Sequence, residues 1–283
     1  MTGIVVTGYA SLDYCVRLDR APRPDATATV LSRPLEWPRL GGSPAYVTSA
    51  LAAAGVREVR AISWVGADAD GREYAKSLSL RGVRVDGIGV RPGRTPICIL
   101  AYQPDGRCHC FYDPSLSGPL MLDAGQEALV AHAAWVCLTI GPAEATKQAL
   151  AAAGSDAKIV WAVKADPRSM PPDLAAMIAA RADVIAFSRG EAGFVADALA
   201  PCAEARRTRL LVETRGSNGV SLRAGGTEEI IGADAIAADD TTGAGDTFLG
   251  GFLASLMAAP ERPSEAVEAG ARAAREMLAA RSQ

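Results

Sequence analysis

With 283 residues, 49% of them hydrophobic and 22% charged, the chain has the size and balance of one large globular domain spanning residues 1–283. A net charge of −3 offers no basic footprint for nucleic acid, and no uncharged apolar run approaches the roughly 18 residues that a membrane-spanning helix needs. The opening MTGIVVTGYASLDY has no basic lead before its apolar stretch, so a cytoplasmic protein is expected, with its six scattered cysteines as reduced thiols.

In chain order, Ile4 to Val6 reads as a buried strand, Tyr46 to Ala54 as a helix closed by Gly55, Val59 to Val65 as a strand, and Gly71 to Leu80 as a helix closed by Gly82. The pattern changes at about 87 to 113, which is rich in β-branched and aromatic residues and broken by the turn signal Pro104-Asp105-Gly106. This stretch predicts a hairpin. Together with residues of about 12 to 36, which lack helical periodicity, it predicts a small β-layer or lid over the main domain. From Asp123 the alternation resumes, with strands near Trp135–Leu138, Ile159–Val163, Val184–Phe187 and Arg209–Glu213, and a final helix from Ser264, its N-cap, to Ala280. Strands alternating with helices predict an α/β fold with a mainly parallel sheet covered on both faces. Cys108-His109-Cys110 invites a zinc reading, but a strand turns its two sulfurs to one face and the ring to the other, and only one further histidine, His132, exists; structural cysteines fit better.

Ligands of open parallel sheets bind outside the carboxyl ends of the strands, where Gly8, Gly66 and Gly216 fall. No P-loop and no G-x-G-x-x-G after a strand occurs, which leaves Asp240-Thr-Thr-Gly-Ala-Gly-Asp246 as the phosphate cradle. Gly243, Ala244 and Gly245 are small enough to let an anion approach backbone N–H groups at the start of an apolar helix. Asp246 then has two readings, a first-turn acid favoured by the helix dipole or a catalytic carboxylate beside a bound phosphate.

The segment DTTGAGD followed by TFLGGF resembles the C-terminal signature of the PfkB (ribokinase-like) carbohydrate kinases. GGSPAYVTSALAAAG at 41–55 is similar to that family's N-terminal Gly-Gly signature, in a form closest to fructokinase-like members, and VGADADG at 65–71 and TRGSNG at 214–219 match two further stretches in the family's order. The resemblance covers nearly the whole chain. It implies a three-layer α/β/α ribokinase-like domain that phosphorylates a hydroxyl of a sugar or polyol with ATP and Mg²⁺, a primary alcohol of a furanose-like sugar above all.

The resemblance further implies Asp246 as base and the Gly243, Ala244 and Gly245 backbone as anion hole. It implies Asp13, Gly41, Gly42 and Ser43 around the sugar, with Tyr46 standing where the family commonly has asparagine. Thr214, Gly216 and Gly219 fall on the nucleotide side, and Gly270 where an adenine contact is expected. The family's NxxE motif is reduced to Glu191 and its DPN-R stretch to Asp166-Pro-Arg168, so Glu191 and Asp166 are the candidates for holding Mg²⁺ through water; Asp240 is the candidate for a monovalent cation such as K⁺. A helix N-terminus is expected to lower the pKa of Asp246. The family's lids often pair between subunits, which implies a homodimer. Two alternatives accompany this reading: a nucleoside kinase, with Tyr14, Trp37 and Tyr46 available to stack on a base, and a non-catalytic nucleotide or sugar sensor, suggested by the altered NxxE and DPN positions.

Overall fold

Alternation along each strand decides the layering. The computed structural model describes residues 3–202, 209–232, 238 and 240–281. In chain order its elements are β1 (Ile4–Thr7), β2 (Ser11–Leu18), β3 (Val30–Ser32), β4 (Arg39–Gly41), α1 (Ser43–Ala53), β5 (Val59–Gly66), α2 (Ala69–Leu80), β6 (Ile88–Arg91), β7 (Ile97–Tyr102), β8 (Cys108–Asp113), α3 (Ala124–His132), β9 (Trp135–Leu138), α4 (Ala143–Ala152), β10 (Lys158–Ala162), α5 (Pro172–Arg181), β11 (Val184–Ser188), α6 (Ala192–Leu199), β12 (Leu210–Thr214), β13 (Val220–Ala224), β14 (Thr227–Ile231), α7 (Ala244–Ala258) and α8 (Pro263–Arg281).

Nine strands form one sheet in the order β14-β13-β12-β11-β10-β9-β1-β5-β6, parallel from β12 through β6, with β13 and β14 antiparallel at one edge. Its side chains sort by parity. Val5, Val136, Leu138, Ile159, Trp161, Ile185 and Phe187 pack with α3, α4, α5 and α6, whereas Ile4, Val6, Cys137, Val160, Val184 and Ala186 pack with α1, α7 and α8. Both faces are dry, which is why these strands read as unbroken apolar runs rather than as alternating ones. The fold is the ribokinase-like α/β arrangement that the sequence predicts.

Five further strands make a second, smaller sheet, β3-β2-β7-β8 with β4 paired to β2. The stretch read as one hairpin from 87 to 113 divides between the two sheets. β6 pairs in parallel with β5 in the large sheet, and only β7 and β8 form the hairpin, because Gly93 and Pro96 separate the two regions and Gly89 fits closely against Trp64. β4 joins the small sheet from outside the segment read as 12–36.

Helix starts differ from the periodicity for local reasons. α1 begins three residues earlier than Tyr46, with Gly42 at φ 81 as its N-cap and Pro44 in its first turn, a position where a missing N–H costs nothing. α2 begins at Ala69 because Asp68 caps it, accepting from the Gly71 N–H at 2.8 Å. Asp68 also accepts from the Thr95 N–H and hydroxyl, so the VGADADG stretch fastens α2 to the segment ahead of β7. α8 starts at Pro263, and Ser264, expected as its N-cap, instead donates to Glu229 on β14 at 2.6 Å.

Candidate active site

The loop after β1, the small sheet and the N-terminus of α7 meet at the carboxyl ends of the central strands. β2 carries Asp13 here, 4% exposed, with Ser11 donating to its Oδ1 at 2.7 Å and the Tyr46 hydroxyl to its Oδ2 at 3.1 Å. Burial raises the Asp13 pKa above the usual carboxylate range, and the two hydroxyls and Arg39 only partly offset it. Gly41, opposite Ser11 on β4, is a close-approach glycine: a Cβ there would stand 1.9 Å from Asp13 Oδ1. At Gly42 the left-handed backbone and the nearby Tyr9 carbonyl exclude other residues in the same way.

At the start of α7, Gly243 is a left-handed N-cap at φ 75, and its α-carbon rests on the Tyr46 ring, where a Cβ would approach to 2.5 Å. The Ala244 N–H closes onto the Thr241 carbonyl, so it is not a free donor, contrary to the expectation that residues 243 to 245 all offer theirs. Gly245 is open, with nothing within 4 Å of a Cβ built on it. First-turn N–H groups lack intrahelical acceptors, which leaves this end of α7 suited to an anion.

Asp246 faces the same space. Its pKa is not lowered, as the helix dipole alone would have it, but raised to about 6: burial is the main cause, the Ser43 hydroxyl and Lys164 pull it down, and the charges of Asp13 and Glu191 push it up.

Glu191 is buried and reciprocally caps its turn, its Oε2 accepting from the Ser188 N–H at 2.8 Å and hydroxyl at 2.7 Å, while Lys164 Nζ stands 3.9 Å from Oε1. Asp166 Oδ1 accepts from the N–H groups of Arg168 and Ser169, a local turn that leaves Oδ2 outside these bonds, and Arg168 is exposed. Thr214 ends β12, and Gly216 and Gly219, both at positive φ, close the short turn into β13; a Cβ on Gly219 would meet the Ile231 carbonyl at 2.2 Å. Gly270 does not open on a ligand space. It is buried where α8 crosses α7, and a Cβ there would collide with the Phe248 carbonyl at 2.7 Å, so the glycine serves helix packing.

Three side chains that pattern reasoning did not select complete the arrangement. Arg39, opposite Asp13 in the β2–β4 register, ion-pairs through Nη2 with Asp240 Oδ2; Arg281, from the last turn of α8, donates to the Thr242 carbonyl; and Lys164 follows β10. Asp240 therefore already faces a cation of this chain. Burial opposes its ionisation, but the bond from Arg39 and the N–H of Thr242 hold its carboxyl below the usual range. Beyond this wall lies a cleft of about 1470 Å³ between α1, α7 and α8, lined by Arg39, Tyr46, Asp240 and Arg281 but not by Asp13 or Asp246.

The aromatic residues weighed for base stacking are otherwise engaged. Tyr14 and Trp37 pack edge to face at 5.0 Å, Arg33 covers Trp37 at 4.7 Å, and Tyr46 lies under Gly243. Cys110 stands 3.2 Å from Cys98, sulfur to sulfur, while His109, on the other face of β8, shares a 2.7 Å hydrogen bond with Gln103.

A left-handed glycine cap, a carboxylate in the first turn behind it and a second carboxylate held over a glycine strand end define an α/β phosphotransferase site for a polyhydroxylated acceptor. A family model described as the pfkB family carbohydrate kinases matches residues 1–282, and the chain belongs to that family. It is an ATP-dependent sugar kinase. The chain is similar to the ATP-dependent ribose-1-phosphate kinase of Halopiger xanaduensis, 26% identical over 258 residues that span 91% of this chain and 86% of that protein. It is similar to fructokinase-2 of Solanum habrochaites, 28% identical over 240 residues, 77% and 72% of the respective chains. In fold it is similar to the ribokinase of Cryptococcus neoformans solved in complex with ADP, with a TM-score of 0.79, 21% identity and 97% and 93% of the two chains covered. Among the described residues, no helix is long and apolar enough to cross a membrane.

Proposed function

We propose that the chain transfers the γ-phosphoryl group of ATP to a primary hydroxyl of a furanose-type sugar, with Asp246 orienting that hydroxyl and accepting its proton. The observation that carries this reading is the position of the Asp246 carboxylate in the first turn of α7 behind the left-handed Gly243 cap, where burial raises its pKa to about 6. A base poised near neutral pH is better matched to proton acceptance than one held low by a dipole. Asp13 is placed to accept from two neighbouring hydroxyls of the acceptor once the Ser11 and Tyr46 hydroxyls yield, and the bare Gly41 edge lets a sugar ring lie against the backbone. Thr214 and Gly216 border the nucleotide side.

Asp166 commits Oδ1 to backbone donors and Glu191 commits Oε2 to Ser188, while Glu191 Oε1 lies 3.9 Å from Lys164 Nζ, beyond hydrogen-bond distance; the two remaining oxygens suit a hydrated Mg²⁺ held through water. When bound, that ion supplies neutralising charge on the ATP phosphates. The outer face of the small sheet supports a homodimer: Ile99 and Phe111, opposite each other in register, are 42% and 57% exposed, an apolar pair that a second copy would cover. The cytoplasm, where ATP and reduced thiols coexist, suits six free cysteines.

The test is a panel of ribose, fructose, ribose 1-phosphate, polyols and nucleosides with ATP, run for the wild type and Asp246→Asn. The expected result is turnover of a sugar by the wild type, lost in the variant while ATP still binds. Turnover of nucleosides alone would overturn the acceptor class, and near-normal turnover by Asp246→Asn would overturn the role of Asp246.

A further inference from the structure

By resemblance, Asp240 is expected to help hold a monovalent cation; the residues around it do not fit that expectation. Arg39 occupies its Oδ2, the Thr242 N–H occupies its Oδ1 at 2.9 Å, and the neighbouring carbonyl, that of Thr242, accepts from Arg281. Among the described residues, the Asp240 carboxylate and the Thr242 carbonyl each already face a guanidinium of this chain. Arg39 is 5% exposed, and its Nε and Nη1 are buried with no hydrogen-bond partner among the described residues. A guanidinium kept dry with two of its three nitrogens unpaired is costly, and among the described residues its ion-pair partner is Asp240.

We infer that Arg39 and Arg281 are positioning residues that take the place of a monovalent cation beneath the phosphate loop, so that this kinase needs no alkali ion. The inference rests on the kinase reading of the same site. Positive charge at Asp240 keeps that carboxylate from repelling the incoming triphosphate, and the two guanidinium groups fix the turn that presents Gly243 and Asp246. A fixed charge does this with no binding equilibrium of its own. It also ties the loop to the acceptor side, because Arg39 belongs to β4, two residues before the glycine that abuts Asp13. The cleft of about 1470 Å³ that reaches Arg39, Asp240 and Arg281 gives a small cation a route to Asp240 once a guanidinium is removed.

The experiment compares turnover in KCl, NaCl and choline chloride at equal ionic strength, about 0.1 M, for wild type, Arg39→Ala, Arg39→Lys and Arg281→Gln. Wild-type rates agree within about twofold across the three salts. Arg39→Ala loses about 10- to 100-fold in choline and regains a measurable part of it with K⁺ or with low concentrations of guanidinium ion, while Arg39→Lys keeps most of its activity and Arg281→Gln acquires a weaker K⁺ dependence. Salt dependence is the readout that a merely structural arginine would not move. Activation of the wild type more than about tenfold by K⁺ over choline overturns the proposal, as does an Arg39→Ala variant with wild-type rates in choline. Should Arg39→Ala melt below the assay temperature, Arg281→Gln decides: a rate in choline unchanged from wild type counts against the proposal, and a K⁺-restored loss supports it. If no acceptor turns over in any salt, the kinase reading itself fails, and the charge proposal is then judged by ADP affinity of wild type and Arg39→Ala in KCl against choline. Equal affinity of the variant in the two salts overturns it.

Discussion

The two sheets solve different problems with the same element. In the large sheet both faces are dry, seven strands run parallel, and each side chain is fixed by a helix above or below. In the small sheet one face looks into the site, with Asp13, Cys15 and Arg39 on it, and the other shows Ile99 and Phe111 to solvent. The first carries the dry core, and on the proposed reading the second selects the acceptor. A change in the large sheet should therefore be read in the melting temperature, and a change in the small sheet in KM.

The largest expected effect lies between the two, at Asp246. Asp246→Asn should lower kcat by about 10³- to 10⁴-fold, at the upper end of what a positioned base contributes. In the wild type, kcat/KM should fall as pH drops through about 6, where Asp246 takes up its proton. A carboxylate whose folded pKa lies above its unfolded value destabilises the fold once it must ionise, over the window from about pH 4 to about 6. Asp246→Asn should accordingly melt about 2–4 °C higher at pH 7, with the gain shrinking toward pH 4; a variant that is both inactive and less stable would show that burial does not set this pKa.

Next comes Trp161→Ala on β10, which empties a fully buried site in the large sheet. A loss of about 3–5 kcal/mol is expected, or roughly 5–8 °C by calorimetry, with KM of the surviving enzyme little changed. Gly41→Ala inverts that signature: its Cβ would displace the Asp13 carboxylate, raising acceptor KM about 10- to 100-fold with only a small shift in melting. If Gly41→Ala lowered stability as much as Trp161→Ala does, the division between the sheets would be wrong. The smallest effect belongs to Tyr46→Phe, which removes the 3.1 Å hydrogen bond to Asp13 and should change acceptor KM by about 2- to 10-fold, a test of whether that hydroxyl competes with the sugar or assists it.

What the sequence made legible follows the same divide. Strands β1, β5, β9, β10 and β11 were readable because their apolar runs are bounded by turns, and the phosphate loop was readable because small residues and a carboxylate precede an apolar helix. Arg39 was not readable. It lies after an irregular stretch, Arg33 to Pro38, and acquires its meaning only when β4 turns back onto β2 and brings it to a loop 201 residues away. Gly270 failed for the opposite reason, since a glycine inside a helix looks alike whether a ligand or another helix approaches it; Phe248 is what approaches. The upward Asp246 shift is not legible in the dipole of α7, because burial, its main cause, and the charges of Asp13 and Glu191 come from other parts of the chain.

One contact bears on how the reaction ends. The Tyr102 hydroxyl of β7 shares a 2.6 Å hydrogen bond with the Thr242 hydroxyl, and Cys15 of β2 lies 3.9 Å from the same oxygen. The small sheet is thus fastened to the loop ahead of α7. On the proposed reading, any outward movement of the small sheet has to part this contact, so Thr242 ties that sheet to the turn ahead of Gly243.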